Sequence, residues 1–200
     1  HHTIYQYDYE NQLVKIVYPD ATVDEYVYDG GGRRVKAVEG GVVTQYLYDG
    51  LNVSLERDAS GMTVSVINRG LSYGGGIGGI ISVWRKKESE SSLNPEYYHY
   101  DGQGNVIALT NKTGTVVQEY EYDAYGNQLV NQGASANDNL FSTKETSRRS
   151  GMVYFGARYY NPRVGRFITE DPLRFGGGQF NFYAYMGNDP VNGVDPYGLY

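Results

Sequence analysis

The sequence has 200 residues and a formal net charge of −6, and it contains no cysteine. The missing thiols exclude disulfide bonds, thiolate catalysis and cysteine-based metal sites. No basic face of the kind that nucleic-acid-binding domains need is visible. With 22 tyrosines and 27 glycines, the composition predicts an all-β chain of short strands joined by tight turns.

A Tyr-Asp dipeptide recurs along the chain. It begins at Tyr7, Tyr28, Tyr48, Tyr100 and Tyr122, so the first three copies are 21 and 20 residues apart and the last two are 22 apart. Tyrosine or valine alternates with polar residues before the dipeptide, which is the period of a half-buried strand. The aspartate, followed by glycine or asparagine, is typical of a turn. Because one hairpin is not stable alone in water, we expect a spiral of stacked antiparallel β-hairpins over residues 1–130.

The repeat lapses in the middle of the chain. Arg69 to Trp84 is rich in glycine and then apolar, but it lacks the Gly-Lys-Ser/Thr ending of a phosphate loop. A glycine-rich strand that passes close to another backbone is the better interpretation. The apolar run is too short to span a bilayer. Polar composition predicts two loops, one at about residues 85–96 and one at residues 131–150.

The last thirty residues contain the most informative pattern. Asp171-Pro172 and Asp195-Pro196-Tyr197-Gly198-Leu199 bracket a stretch rich in glycine and aromatic residues. Asp-Pro is a common turn former, and a lone step is best interpreted that way. Two such steps can bring two carboxylates together beside one peptide bond, which is the equipment for cutting the chain's own backbone.

Longer motifs make a family resemblance specific. The Tyr-Asp units resemble the YD repeats of Rhs proteins, and the run Gly151-Met152-Val153-Tyr154-Phe155-Gly156-Ala157-Arg158-Tyr159-Tyr160-Asn161-Pro162 is similar to the Rhs repeat-associated core domain. The similarity continues through Gly165–Pro172, Asn181–Tyr185, Gly187–Asn192 and Val194–Leu199. It implies a β-sheet shell that ends in a core plug at residues 151–199, with residue 200 as the start of a C-terminal tail. In this family the tail is a toxin held inside the shell, and the core cuts the chain in front of it.

The resemblance also implies a site. The scissile bond is Leu199–Tyr200, the catalytic carboxylates are Asp171 and Asp195, and the supporting residues are Arg166, Pro172, Pro196 and Gly198. For Arg166, five residues before Asp171, two interpretations stay open: it steadies an ionised aspartate, or it makes an ordinary surface or inter-strand pairing. Two close carboxyl groups share a proton, so that one acts as base while the other donates. We therefore expect them to lie close together with Leu199 beside them. The family uses no metal and no cofactor.

One departure keeps a second interpretation open. The first motif reads Asp171-Pro172-Leu173-Arg174-Phe175, where the family usually ends in Gly-Leu. The alternative is a non-cleaving structural or adhesive cell-surface protein, which self-associates through exposed edge strands. With either function we expect the protein to be secreted or on the bacterial cell surface, with no export signal in this sequence. The expected partners are the chain's own C-terminal toxin segment and a secretion apparatus or cell-surface protein, with neither nucleic acid nor a membrane span.

Overall fold

The structure, a computed structural model, describes residues 2–86 and 92–200. Within these residues, twelve strands form one antiparallel sheet in which each strand pairs with its neighbours in sequence. They are β1 (Ile4–Tyr7), β2 (Leu13–Val17), β3 (Val23–Tyr28), β4 (Arg34–Glu39), β5 (Val42–Asp49), β6 (Asn52–Arg57), β7 (Thr63–Arg69), β8 (Ile80–Lys86), β9 (Leu93–Tyr100), β10 (Val106–Thr110), β11 (Val116–Tyr122) and β12 (Gln128–Gly133). The predicted all-β fold is confirmed, and the sheet is not closed.

The aspartate of the repeat closes the hairpin turn in four of its five copies, as its position predicts; in the other copy Asp49 is the last residue of β5 and pairs with Asn52. Asp29 Oδ1 accepts the backbone N–H groups of Gly31 (2.9 Å) and Arg33 (3.0 Å). The same pair of bonds recurs at Asp8, Asp101 and Asp123. A carboxylate that satisfies two turn N–H groups fixes where one strand ends and the next begins.

The tyrosine of the repeat ties the strand that carries it to the preceding strand in four of the five copies. Its hydroxyl donates to the carbonyl of the first residue of that strand at 2.6–2.9 Å, and the pairs are Tyr28–Leu13, Tyr48–Arg34, Tyr100–Ile80 and Tyr122–Val106. We call these four bonds the tyrosine ladder. Where the repeat lapses, at the end of β7, Arg69 Nε donates to the Val53 carbonyl at 3.2 Å. Where the repeat lapses, an arginine therefore replaces the tyrosine as the donor, and the side chain still bonds to the backbone of the preceding strand.

A second, smaller sheet lies in the C-terminal part of the chain, from residue 145 onward, which we call the core. Its strands are β13 (Glu145–Thr146), β14 (Val153–Tyr154), β15 (Tyr159–Asn161) and β16 (Arg166–Phe167), and single 3-10 turns lie at Phe141–Thr143, Arg174–Gly177 and Met186–Asn188. Buried aromatic rings fill its centre, with Tyr160 and Tyr185 only 4.6 Å apart between centroids. Among the described residues, no helix is long and apolar enough to cross a membrane.

Arg34 on β4 joins the large sheet to the core. Its side chain is buried, and it donates to the Glu145 carboxylate at 2.5 Å and to the Tyr159 hydroxyl at 2.7 Å. The guanidinium also lies over the rings of Tyr46 and Tyr154, 4.6 and 4.4 Å from their centroids. Burial lowers the pKa of Arg34, but Glu145 and the tyrosines outweigh it and raise that pKa well above its ordinary value. The charge is therefore retained inside the protein.

The structure differs from the sequence-based expectation in both predicted loops. Strand β12 extends to Gly133, and residues 137, 139–143 and 147 are buried, so residues 131–150 are not one surface loop. The core sheet already begins at Glu145, before the predicted boundary at residue 151. The loop expected at about residues 85–96 is shorter, because β8 runs to Lys86 and β9 starts at Leu93. Its central part, residues 87–91, lies outside the described residues.

Candidate active site

The two predicted aspartates meet at one arginine. Asp171 is 6% exposed and Asp195 is fully buried. Arg158 Nη2 lies 3.3 Å from Asp171 Oδ2 and 4.0 Å from Asp195 Oδ2. Carboxylates 24 residues apart in sequence therefore converge on the same cation.

Two of the three guanidinium nitrogens of Arg158 donate hydrogen bonds to backbone carbonyls, and Nη2 makes none to any residue that the structure describes. Its Nε donates to the Gly198 carbonyl at 2.5 Å, and its Nη1 donates to the Phe182 carbonyl at 2.8 Å. The guanidinium carbon lies 3.7 Å from the centre of the Phe167 ring. Burial lowers the pKa of Arg158, and the two aspartates act in the opposite direction. The guanidinium held in this way keeps a positive charge beside both carboxylates, as two ion pairs without a hydrogen bond.

Asp195 gathers the backbone N–H groups of the segment that follows it. Its Oδ1 accepts from Tyr197 (3.2 Å), Gly198 (2.8 Å) and Leu199 (3.0 Å). Its Oδ2 accepts from Tyr200 at 2.9 Å. The nitrogen of the Leu199–Tyr200 peptide bond is therefore held directly on the carboxylate.

The backbone carbonyls of Pro196, Tyr197 and Gly198 each accept a hydrogen bond from a described residue, whereas that of Leu199 does not. Lys144 Nζ donates to the Pro196 carbonyl at 2.7 Å, and the N–H of Ala157 donates to Tyr197 at 3.0 Å. Arg158 holds Gly198. Among the described residues, none donates a hydrogen bond to the Leu199 carbonyl. The Leu199 carbonyl is thus the one in residues 196–199 that accepts no hydrogen bond within the described structure, and we call it the open carbonyl. Its carbon is the atom that water would attack in hydrolysis of the Leu199–Tyr200 bond.

That open carbonyl lies on the side of Asp171. A Cβ placed on Gly177 would lie 2.9 Å from Asp171 Oδ2 and 3.6 Å from the Leu199 oxygen, so both oxygens border the same small space. Asp171 itself is oriented by the N–H of Leu173, which donates to its Oδ1 at 2.7 Å. The site thus has one carboxylate beside the carbonyl and the other at the nitrogen of the same peptide bond.

The supporting residues have different fates. Gly198 has φ +76°, and a Cβ there would lie 3.0 Å from the Phe155 side chain, so any other residue would be strained. Pro196 contributes its carbonyl, whereas Pro172 is exposed and only shapes the Asp171 turn. Arg166 is exposed on β16, and within the described chain it makes no ion pair with either aspartate.

The arginine of the site is therefore Arg158 and not Arg166. Arg158 is the one charged residue in the run Val153 to Tyr160, in which five of the eight residues are valine, phenylalanine or tyrosine. A charge in such a run is buried only with a partner, which was the signal available in the sequence. Among the described residues no group of three histidine, cysteine or acidic side chains forms a metal site.

Comparison with known proteins assigns the family. The sequence profile described as Teneurin YD-shell matches residues 1–191. The chain belongs to the YD-shell family. The resemblance to Rhs/YD-repeat proteins is thereby confirmed.

Relatives of the chain include proteins named as toxins and nucleases. It is 33% identical to the tRNA nuclease WapA of Bacillus subtilis over 97% of its own length, but it spans only 8% of that protein. It is also 35% identical, over 52% of its length, to double-stranded DNA deaminase toxin A of Burkholderia cenocepacia, of which it spans 7%.

Solved structures share the fold. The crystal structure of TcdB2-TccC3-Cdc42 matches 98% of this chain with a TM-score of 0.77 at 20% identity, and the chain covers 10% of that protein. The Photorhabdus luminescens Tc holotoxin pore matches with a TM-score of 0.75, also at 20% identity, 98% of this chain and 10% of that one. The fold is thus that of shells in toxin-associated proteins.

Proposed function

We propose that this chain is the C-terminal part of an Rhs-type shell that encloses and delivers a C-terminal toxin, and that it cuts itself after Leu199. The observation that carries the proposal is the pattern of hydrogen bonds at the Leu199–Tyr200 bond. Asp195 holds the nitrogen of that bond, and the carbonyl is open beside Asp171.

The chemistry that fits this arrangement is hydrolysis by two carboxyl groups. A water molecule adds to the Leu199 carbonyl carbon, and Asp171, on the carbonyl side, accepts its proton. The C–N bond breaks as the carboxyl pair returns that proton to the Tyr200 nitrogen, whose own N–H group stays on the Asp195 carboxylate. The products are a carboxylic acid at Leu199 and an amine at Tyr200. Arg158 keeps the two carboxyl groups and the Gly198 carbonyl in register throughout.

The altered first motif is compatible with this function. Arg174 occupies the place where the family has glycine, and it adopts φ +48°, in the left-handed region that glycine favours. The N–H of Arg174 donates to the Asp171 carbonyl at 2.9 Å, so the turn that presents Asp171 is formed. This supports the cleaving function over the non-cleaving structural or adhesive alternative, which rests on the loss of that glycine.

The remaining parts of the proposal follow from the relatives. A shell that carries a toxin works outside the cell that makes it, so we place this one in the secreted or cell-surface fraction. Its partners are the toxin segment of its own chain and the apparatus that exports or receives the shell. The edges β1 and β12 of the open sheet are where further shell strands, or a second copy, would pair.

Intact mass spectrometry of the natural full-length gene product tests the cut. We expect a break after Leu199 in the parent and none in Asp171→Asn or Asp195→Asn. Asp189→Asn is the matched control, because Asp189-Pro190 is also an Asp-Pro step but Asp189 is exposed and contacts only its own turn. A parent that stays intact over days, or an Asp171→Asn variant that breaks at the parent's rate, would refute the proposal.

A further inference from the structure

The glycine-rich connection between β7 and β8 folds into a hydrogen-bonded turn. The N–H of Gly70 donates to Gly79 at 2.8 Å, and inside this turn Tyr73 donates to Ile77 at 2.9 Å. The Ile77 side chain is fully buried. We call residues 70–79 the glycine turn. It belongs to the large sheet, yet it reaches across to the C-terminal segment of the core.

Gly75 lies directly on the backbone of Pro196. A Cβ at Gly75 would lie 1.8 Å from the Pro196 carbonyl oxygen and 2.5 Å from its carbonyl carbon. Real Cβ atoms do not come this close, so any side chain at Gly75 must displace Pro196 or the turn. Pro196 directly follows Asp195 and precedes Leu199 by three residues. A displacement there is passed on to both the carboxylate and the bond to be cut.

Lys144 bonds to the backbones of both Gly75 and Pro196. Its Nζ donates to the Gly75 carbonyl at 2.6 Å and to the Pro196 carbonyl at 2.7 Å. The preceding residue, Thr143, is itself attached to the glycine turn, because its Oγ1 accepts the N–H of Gly78 at 2.8 Å. The ammonium group is therefore a fixed bridge between sheet and cleavage segment.

We propose that Gly75 and Lys144 form a clamp that positions the Leu199–Tyr200 bond, so that self-cleavage requires the glycine turn to be docked on the core. The inference rests on the proposed self-cleavage and adds a condition to it. Both residues act through Pro196 and are positioning residues. The clamp makes the cut wait until β7 and β8 have joined the sheet, so that the shell is in place before the chain behind Leu199 is released.

The first test compares two glycines with similar backbone strain. Gly75 has φ +53° and Gly50 has φ +58°, but a Cβ at Gly50 would have no atom within 4 Å. In the full-length protein, Gly75→Ala should slow the cut on the order of 100-fold, the loss expected when a reacting group shifts by about 1 Å. Gly50→Ala should leave the rate unchanged. Rates are read by intact mass at a temperature where circular dichroism finds all variants folded.

The second test separates the hydrogen bonds of Lys144 from its packing. Lys144→Met keeps the length of the side chain and removes both donated bonds, and we expect it to cut about 10-fold or more slowly. Lys144→Arg retains a charged donor and should recover most of the rate. Lys112→Met, at an exposed position, should behave as the parent. Equal slowing in the Met and Arg variants would assign Lys144 to packing and overturn its role in the clamp.

The outcomes distinguish the clamp from the proposed function. If the parent cuts, and Gly75→Ala cuts at the rate of Gly50→Ala, the clamp is refuted and self-cleavage stands. If the parent does not cut, the proposed function fails and the clamp fails with it.

Discussion

Replacing the buried Arg34 by methionine should be far more damaging than the same change at its neighbour Arg33. Arg34→Met removes the ion pair to Glu145 and the bond to Tyr159 and leaves the Glu145 carboxylate, only 22% exposed, without its cation. Breaking a buried pair on one side costs about 3–5 kcal/mol. Arg33 pairs with Asp29 at the surface, with side chains 41% and 25% exposed. A pair of that kind contributes about 0–1 kcal/mol.

Urea unfolding followed by tyrosine fluorescence measures both variants. We expect the unfolding midpoint of Arg34→Met to fall several times further than that of Arg33→Met, with an unchanged dependence on urea. The double variant Arg34→Met/Glu145→Met should be more stable than Arg34→Met alone, because it removes the stranded charge. Equal losses for Arg33→Met and Arg34→Met would refute the argument that Arg34 joins the sheet to the core.

Three further predictions concern the ladder, the first motif and Lys144. Tyr122→Phe removes one bond of the tyrosine ladder and should cost about 1 kcal/mol in a urea titration, whereas Tyr9→Phe, at a residue 95% exposed, should cost nothing measurable. Arg174→Gly should raise the thermal midpoint, since it relieves about 1 kcal/mol of left-handed strain, while the cut remains; a lower midpoint would contradict this. Burial lowers the pKa of Lys144 from 10.5 to about 8, so at this residue the unfolded chain binds more protons between these values, and the contribution of Lys144 to the unfolding free energy should rise with pH across that window. Lys144→Met should lose this rise, and a parallel pH dependence of the two unfolding free energies would count against it.

The parts of the structure that were predictable from the sequence are those written in local patterns. The alternation before Tyr28-Asp29 and its equivalents is a short-range signal, and the structure forms a hairpin there. Resemblance to the Rhs core then identified Asp171 and Asp195, and the two converge on one guanidinium. That they cut the chain remains a prediction.

The parts that were missed depend on contacts between distant residues. Sequence spacing favours Arg166, which is nearer to Asp171 than Arg158 is, but the fold and not the spacing brings a cation to the carboxylates. Residues 131–150 look like a surface loop because they are polar, yet Asn137 is buried and accepts a hydrogen bond from the Tyr98 hydroxyl, 39 residues away. Lys144 bonds to Gly75 across 69 residues. No local pattern carries such pairings.

The most direct test of the central claim is to let the full-length protein cut in water enriched in heavy oxygen. Peptide mass spectrometry then reads both the position of the new C-terminus and the origin of its oxygen. Hydrolysis at the carboxylate pair predicts a terminal peptide that ends at Leu199 and carries one heavy-oxygen atom, absent from Asp171→Asn and Asp195→Asn. A terminus at any other residue, or an unlabelled one at Leu199, would contradict the account.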